Sequence, residues 1–314
     1  MNNFKSNYNK ILEVLTSITE KEQFLKQKRK PKLKDIELIA MNLTAEYMGI
    51  DSECQLFRDI PAYLFAKIER SVYNKWKRKL FFAIEFIRTQ LSNKFTEFEN
   101  YYVVDSMPLE IVKLSRSGRS KVCKEHFYSA PNRGYCASQN MHYYGYKIHA
   151  VCSIDGVFKS FDIRKASVHD IHYLKDIKNQ FENCVILGDK GYLSADYQLD
   201  LFESKQIKLE VPMRKNQQNY KKQAYIFRKK RKRIETLFSQ LCDQFKIRNN
   251  YAKTFEGFKT RILSKLTALT IIQYINKFVF NRNINNLKVN IVLSSPEIRL
   301  QVKIKFMLLI DIPY

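Results

Sequence analysis

Three acidic residues stand in settings where a carboxylate could do chemistry. Asp105 ends the apolar run 101–104, and Asp189 ends a second apolar run, residues 184–188. Glu235 lies in a basic stretch with the spacing of a helix. A carboxylate at the end of a buried strand is held rigidly and faces the edge of the sheet, where ligands usually bind. We therefore expect the two aspartates and the glutamate to form one site.

Such a set of hard oxygen donors predicts Mg²⁺ or Mn²⁺ as the cofactor. Two ions about 3.5–4 Å apart can activate an attacking oxygen and stabilise a leaving one. Their charge of about +4 is nearly balanced by three carboxylates and one phosphodiester. Zinc is disfavoured because the sequence has no His/Cys cluster with ligand spacing. The prediction is a site for two Mg²⁺ or Mn²⁺ ions that catalyses phosphoryl transfer.

The charge of the chain indicates what the phosphodiester belongs to. The formal net charge is +24, from 55 basic and 31 acidic residues, which predicts a nucleic-acid partner. A membrane partner is not expected, since no apolar run has transmembrane length and no helix pattern combines an apolar face with a clean basic one. The N-terminus lacks the apolar region of a signal peptide, and the six cysteines are scattered. Both features predict a cytoplasmic location.

A basic segment runs directly into the helix that carries Glu235. Between Arg214 and Arg233 there are ten Lys or Arg residues and no Asp or Glu. Such blocks are often merely solvated or act as localisation signals. The position of this basic segment beside the acidic residues instead favours binding of the DNA backbone. The residues predicted to contact DNA are Lys147, Lys190, Arg228, Lys229, Lys230, Arg231 and Lys232.

Glu235 also has a simpler interpretation. It lies at the border of the helix's apolar stripe, which includes Ile234, Leu237 and Phe238, and Arg231 lies one turn before it. An ion pair with Arg231 would explain the glutamate in an isolated helix. The two other carboxylates in comparable positions favour a role in the site.

The elements that must position these residues fall into two regions. Residues 7–94 have helical spacing, and the basic residues Lys75, Lys77, Arg78 and Lys79 suit a helix-turn-helix-like DNA-binding region. A helical cap packed on the main domain fits the same pattern equally well. From Tyr101 the pattern changes to strands.

The second region alternates strands and helices. Runs 146–151 and 157–163 flank Asp155-Gly156, which predicts a β-hairpin. A helix over 166–181, a strand over 184–187, a helix near 197–205 and a strand over 207–211 follow, and the helix of Glu235 comes after them. This order predicts a mixed α/β sheet with helices on both faces.

Five short motifs together resemble a known family. They are Asp-Ser-Met-Pro at 105–108, Gly-Tyr-Lys-Ile-His at 145–149, His169-Asp170, Gly-Asp-Lys-Gly-Tyr at 188–192 and Arg-Lys-Arg-Ile-Glu-Thr-Leu-Phe at 231–238. In combination they resemble bacterial insertion-sequence transposases of the DDE class, and among these the insertion-sequence nine-eight-two family. The resemblance covers about residues 36–288. It implies a ribonuclease-H-like mixed sheet flanked by helices and Mg²⁺-dependent DNA transfer, with Asp105, Asp189 and Glu235 as the catalytic and metal-binding triad.

The sequence departs from related transposases near the glutamate. Related groups have a Tyr before it and a Lys seven residues after it, but position 242 is Cys, although Arg231 matches the intervening Arg. The task of orienting a phosphate would then fall to Lys232 or Lys246. Asp170 is expected to cap a helix rather than to bind metal.

The resulting prediction is a DNA transposase that cuts the ends of an insertion sequence and joins them to target DNA. Its partners would be double-stranded DNA of the element ends and of the target, and a second copy of the chain, since two ends must be held together. One alternative is a metal-dependent nuclease without strand transfer, and another is a catalytically inactive DNA-binding relic.

Three regions are expected along the chain. Residues 1–98 form the helical, DNA-binding region, residues 99–288 form the catalytic domain and residues 289–314 form an extension. The extension could be an added strand or read-through into neighbouring DNA. Read-through is favoured because the Asn-rich residues 281–286 are typical of a polar exit from a domain.

Overall fold

The structure, a computed structural model, describes residues 3–95, 100–214, 216, 220–288 and 290–292. Over these residues the chain forms ten α-helices and six β-strands. The helices are α1 (Phe4–Ile18), α2 (Asp35–Tyr47), α3 (Glu53–Asp59), α4 (Ala62–Phe65), α5 (Arg70–Lys79), α6 (Phe81–Asn93), α7 (Leu174–Gln180), α8 (Ala195–Lys205), α9 (Tyr225–Asp243) and α10 (Phe255–Tyr274). The strands are β1 (Tyr101–Val112), β2 (Asn132–Cys136), β3 (Met141–Ser153), β4 (Phe158–Lys165), β5 (Cys184–Leu187) and β6 (Ile207–Glu210).

The N-terminal region is helical, as predicted. Every residue of α2 except Glu37 is buried, because α2 packs between α1 and α10. A hydrogen bond of 2.7 Å from the Asn42 amide to the Ser264 hydroxyl joins α2 to α10 inside this packing. The arrangement is that of a helical cap. Contact of the cap with DNA stays a prediction, although the Lys77 ammonium is buried and bonded to Glu53 at 2.7 Å.

The six strands form one mixed sheet. β1 runs antiparallel to β3 and parallel to β5, which is itself parallel to β6. β4 and β2 both pair antiparallel with β3, β2 with its beginning and β4 with its remainder. The predicted mixed α/β class and the hairpin formed by β3 and β4 are confirmed.

Helices cover both faces of the sheet, since alternate residues of the strands enter different apolar cores. Val103 and Met107 of β1 pack in a large core that also contains residues of α9, α10 and the N-terminal helices. Val104, between them, packs with Leu174 of α7 and Leu201 of α8 in a smaller core. Odd-numbered and even-numbered residues of β1 therefore face different groups of helices.

Several elements differ from those predicted. β1 does not end at Asp105 but continues to Val112, because residues 106–110 and Val112 stay paired with β3. The predicted helix over 166–181 begins only at Asp170, as a 3-10 turn that leads into α7. Two elements were not predicted at all, β2 and α10. Residues 262–273 of α10 are all buried, so the helix lacks the one-sided apolar spacing that reveals a surface helix.

The chain re-enters the core after the predicted end of the domain. The Asn-rich segment is fastened, for example by the Asn285 amide, which donates to the Asp155 carbonyl at 3.0 Å. Leu287 and Ile291 are both buried in the large core. The Asn-rich residues 281–286 therefore do not mark the point where the chain leaves the core, while read-through in the extension stays a prediction. Residues 289 and 293–314 of the predicted extension lie outside the described residues.

Membrane insertion was not expected from the sequence. Across the part of the chain that the structure describes, no helix combines the length and the apolar character needed to span a bilayer.

Candidate active site

The register of the sheet places Asp105 and Asp189 at the same level. The last paired residues of the parallel strands β1 and β5 are Val103 and Leu187. Each aspartate follows its member of that pair by two residues. β1 then continues beside β3, whereas β5 ends at Leu187, so both aspartates lie where the parallel strands separate.

Asp105 lies close enough to two other carboxylates to feel their charge. Asp105 lies on the same face of β1 as Val103 and Met107, which pack in the core that contains α9. Burial raises the pKa of Asp105 to about 7, and the charges of Asp189 and Glu235 act in the same direction. The backbone N–H of Ser106, which donates to Asp105 Oδ1 at 2.8 Å, opposes this shift. Asp105 therefore lies within the electrostatic range of both other predicted triad members.

Asp189 is fixed by the turn that follows β5. Its Oδ1 accepts the N–H of Gly191 at 2.7 Å, which makes Asp189 the cap of the 3-10 turn Lys190–Tyr192. Burial raises the pKa of Asp189 in spite of this hydrogen bond, and the charge of Asp170 adds to the rise. The carboxylate is thus oriented by backbone in a place that favours its neutral form or a bound cation.

Glu235 lies on the exposed side of α9, and its carboxylate is 3.2 Å from the Arg231 guanidinium. The ion pair that the simpler interpretation predicts, between residues one helical turn apart, is thus present in the structure. Arg231 has a wider influence, however, because its charge also lowers the pKa of Asp105 and of Asp189. One guanidinium therefore offsets all three carboxylates, which places them around a common region of negative potential.

The residues predicted to contact DNA differ in their surroundings. The side chains of Lys190, Arg228, Lys229 and Lys232 are exposed, and those of Lys230 and Arg231 are partly exposed. Lys147 is different, because its side chain is only 14% exposed and its ammonium lies 2.8 Å from Asp170 Oδ1. Residues 215 and 217–219 of the basic segment lie outside the described residues.

Two residues near the aspartates were not predicted as part of the site. Tyr192 is fully buried, and among the described groups its hydroxyl has no hydrogen-bond partner. Burial and the charges of Asp170, Asp105 and Asp189 hold the pKa of Tyr192 well above its usual value. Asp170 is not the expected N-cap, since the imidazole Nδ1 of His169 accepts the N–H of Ile171 instead. Both residues belong to motifs of the sequence, Asp170 to His169-Asp170 and Tyr192 to Gly-Asp-Lys-Gly-Tyr at 188–192, but no role in the site was predicted for either.

Comparison with protein families supports the interpretation of the acidic residues. Residues 98–271, more than half of the chain, match the transposase DDE domain. The chain belongs to the transposase DDE domain family. Its function is accordingly of the transposase type, with DNA as the substrate that this family implies. Among curated proteins, no match to the chain was found.

The matched residues contain all six strands, the helices α7, α8 and α9, and most of α10. The mixed sheet flanked by helices is consistent with a ribonuclease-H-like DDE domain. Asp105, Asp189 and Glu235 all fall within the match, as do Asp170 and Tyr192. The helical region before residue 98 precedes it.

The carboxylates of the DDE domain fit a divalent cation by their chemistry. All are hard oxygen donors, and burial together with their mutual repulsion raises the pKa of Asp105, a cost that a cation would relieve. They are not drawn together into a closed set: over the described residues, no three His, Cys, Asp or Glu side chains form a group that could hold one metal ion. Glu235 is instead held by Arg231.

The departure at position 242 of the DDE domain has a packing explanation. Cys242 lies on α9 with its sulfur 3.6 Å from the Met107 sulfur, against the large core. Lys246 lies beyond the end of α9 at a positive φ of 48° and is exposed. Lys232 is exposed on α9 itself, one turn from Glu235. Lys232 is therefore better placed than Lys246 to act beside the glutamate.

A cavity of about 690 Å³ lies elsewhere, between the N-terminal helices and the beginning of α10. Its lining includes Glu46, Glu53, Lys77 and Arg261 but none of the three candidate carboxylates. It is formed by the junction of the helical cap with the DDE domain.

Proposed function

We propose that this protein is a DNA transposase that cuts the ends of an insertion sequence and joins them to target DNA by metal-dependent phosphoryl transfer. Asp105, Asp189 and Glu235 act as its catalytic carboxylates. The observation that carries the proposal is the position of Asp105 and Asp189, each two residues beyond the last β1–β5 pair, in a domain of the DDE family.

Each carboxylate has a distinct support in this role. Asp105 is set within β1 and Asp189 is held by a backbone N–H, so both are fixed before a cation binds. Glu235 reaches the same region from α9 and is paired with Arg231. Bound at these residues, two Mg²⁺ or Mn²⁺ ions would supply the positive charge that activates the attacking oxygen and stabilises the leaving one.

Arg231 already places a positive charge close to the three carboxylates. It forms an ion pair with Glu235, and its charge opposes the rise in the pKa of both aspartates. A guanidinium also forms paired hydrogen bonds with phosphate oxygens. We infer that Arg231 turns from Glu235 to the DNA phosphate when the glutamate takes up a cation.

The exposed basic residues of α9 would hold the DNA backbone beside the carboxylates. Arg228, Lys229 and Lys232 are exposed on the helix that carries Glu235, and Lys190 is exposed next to Asp189. Contacts of this kind position DNA without reading its sequence. Reading of the element ends is assigned to the helical region 1–98, acting as a DNA-binding domain ahead of the catalytic domain 99–288.

Finer features of the proposal rest on the five sequence motifs. They place the chain with the insertion-sequence nine-eight-two family and imply a ribonuclease-H-like catalytic fold. The strand order β4-β3-β1-β5-β6, with β5 and β6 parallel to β1, supports that fold. Since transposition must hold two element ends together, we propose that the protein acts as a homo-oligomer on DNA.

The test is cleavage and joining of DNA that carries the element ends. Asp105→Ala, Asp189→Ala and Glu235→Gln should each abolish Mg²⁺-dependent cleavage and leave binding of end DNA largely intact, because the carboxylates hold metal rather than the duplex. Glu210→Gln is the matched control: it neutralises the carboxylate that ends β6, the strand next to β5, and should cleave normally.

The products separate the alternatives. Joined products support a transposase, whereas cleavage without joining indicates a nuclease. Binding without any nicking by the parent protein indicates an inactive relic. Normal cleavage by any one of the three variants would remove that residue from the proposed site.

A further inference from the structure

Residues from three of the five sequence motifs lie close together beside Asp189. Lys147 and His149 come from β3, Asp170 begins the 3-10 turn before α7, and Gly191 belongs to the turn that orients Asp189. These residues are far apart in the sequence and approach one another only through the folding of the sheet. The cluster is outside the carboxylate triad, so the proposed chemistry leaves it unexplained.

Lys147 and Asp170 form a largely buried ion pair. The Lys147 ammonium lies 2.8 Å from Asp170 Oδ1, and it also donates to the Val168 carbonyl at 3.2 Å. The side chains are 14% and 23% exposed. Solvent screens the charges of such a pair only weakly, so their positions affect the electrostatic potential at nearby groups.

Asp189 is one of those nearby groups. A Cβ atom at Gly191 would lie 3.0 Å from Asp189 Oδ1 and 3.4 Å from Asp170 Oδ2, so both carboxylates lie on the same side of this glycine. Asp170 therefore lies beside both the Lys147 ammonium and the glycine whose N–H orients Asp189. The lysine bonds to Oδ1, while Oδ2 lies toward Gly191.

A buried polar side chain points into the same cluster. His149 is fully buried, its Nδ1 is 3.9 Å from Asp170 Oδ1, and within the described structure neither ring nitrogen has a hydrogen-bond partner. Burial lowers the pKa of His149 to about 4, so the imidazole is neutral at pH 7. The charge of Asp170 is thus balanced by Lys147 and not by His149.

We propose that Asp170 is a positioning residue that holds the Lys147 ammonium away from Asp189 and so leaves the Asp189 carboxylate available to a metal cation. This inference rests on the proposed function, because it assumes that Asp189 is a metal ligand. It gives Lys147 a role inside the protein in place of the predicted contact with DNA.

The charges determine the effect of removing Asp170. In Asp170→Asn the ammonium loses its carboxylate partner, and Asp189 is the other carboxylate at Gly191. A lysine with little exposure is costly to leave unpaired, so it will turn toward Asp189. There it competes directly with a cation. Removing the lysine as well should abolish the competition.

The experiment is a calorimetric titration of the full chain with Mn²⁺ alone. Asp170→Asn should bind Mn²⁺ about tenfold or more weakly, as expected for one added positive charge near the site. Lys147→Met with Asp170→Asn should restore the affinity to within about threefold of the parent protein, a difference of under 1 kcal/mol. Glu53→Gln is the control, since it breaks a lysine ion pair of similar exposure, with Lys77, in the helical cap and should bind Mn²⁺ normally.

Two results would overturn the inference. One is parental affinity in folded Asp170→Asn, and the other is a double variant as weak as the single one, which would show that Asp170 acts structurally. If Asp170→Asn does not fold, Asp170→Ser with and without Lys147→Met repeats the comparison, because serine also removes the carboxylate. Lys147→Met should also bind DNA with the parental salt dependence, and a reduced slope would return the lysine to DNA contact.

A parallel titration of Asp189→Asn keeps the two proposals apart. Loss of Mn²⁺ binding there, with normal binding by Asp170→Asn, would refute only the positioning role. Parental Mn²⁺ binding by Asp189→Asn would instead refute the assignment of Asp189 as a metal ligand, and with it the proposed function of the site.

Discussion

Replacing Asp105 by asparagine should remove activity and at the same time stabilise the metal-free protein. Burial, with the charges of Asp189 and Glu235, raises the pKa of Asp105 to about 7. In an unfolded chain the same carboxyl titrates near 3.9. Because the unfolded chain loses its proton first, the free energy of unfolding falls as the pH rises from about 4 to about 7, and the loss is complete above that range.

The size of the effect follows from the interval between the two pKa values. About three pH units at 1.4 kcal/mol each give an upper limit of ~4 kcal/mol at pH 8 and ~1 kcal/mol at pH 4.5. Asparagine keeps the oxygen that accepts the N–H of Ser106 but cannot ionise. The free energy of unfolding of Asp105→Asn, relative to that of the parent protein, should therefore rise steadily from pH 4.5 to pH 8.

Urea unfolding in EDTA at pH 4.5, 6, 7 and 8 measures the difference directly. Mn²⁺ at pH 8 should reduce it, because only the parent protein gains a metal ligand at this position. Asp200→Asn, which removes an exposed carboxyl paired with Lys178, should show a small difference at every pH. If the free energies of unfolding of the parent and Asp105→Asn changed with pH in parallel, ionisation of Asp105 would not destabilise the fold and the reasoning would be refuted.

Three further changes test other parts of the structure. Gly191→Ala should weaken Mn²⁺ binding in calorimetry, since its Cβ would crowd Asp189 Oδ1 at 3.0 Å; normal affinity would show that the turn adjusts freely. Replacing residues 229–232 by Gln should flatten the salt dependence of DNA binding, by about 0.9 log–log units for each phosphate that is no longer neutralised, and an unchanged slope would make the run structural. Lys265→Met should cost about 3–5 kcal/mol in urea unfolding by leaving Glu46 buried without its ammonium partner, and adding Glu46→Gln should recover most of it.

Features set by local sequence could be predicted well. The strand over 184–187 was predicted with the bounds it has, since its apolar run is short and is followed by Gly188. The hairpin of β3 and β4 follows from Asp155-Gly156, where Gly156 adopts a φ of +99° that other residues rarely tolerate. Strand-end positions were predicted for both aspartates; Asp189 does follow β5, whereas Asp105 lies inside β1.

Features set by long-range contacts could not be read in the same way. The pairing of Lys147 with Asp170 joins residues 23 positions apart across the end of the sheet, and nothing in either local pattern indicates it. α10 escaped prediction because it is enclosed by the sheet, α2 and α6 and therefore shows no polar face over most of its length. The exposure of Glu235 likewise depends on how α9 packs rather than on its own spacing.

The packing of Ile291 reverses the expectation for the C-terminus. Ile291 is fully buried in the large core, so truncation after Lys288 would remove a core side chain along with the residues beyond it. Loss of a buried isoleucine costs about 2–5 kcal/mol. Truncation after Lys288 should thus lower the free energy of unfolding by that amount, and Ile291→Ala in the full chain should reproduce most of the loss. Truncation after Val292 keeps the side chain and serves as the matched variant in urea unfolding. Equal stability of the two truncated proteins would mean that Ile291 contributes nothing to the core and that the chain's essential part does end at Lys288.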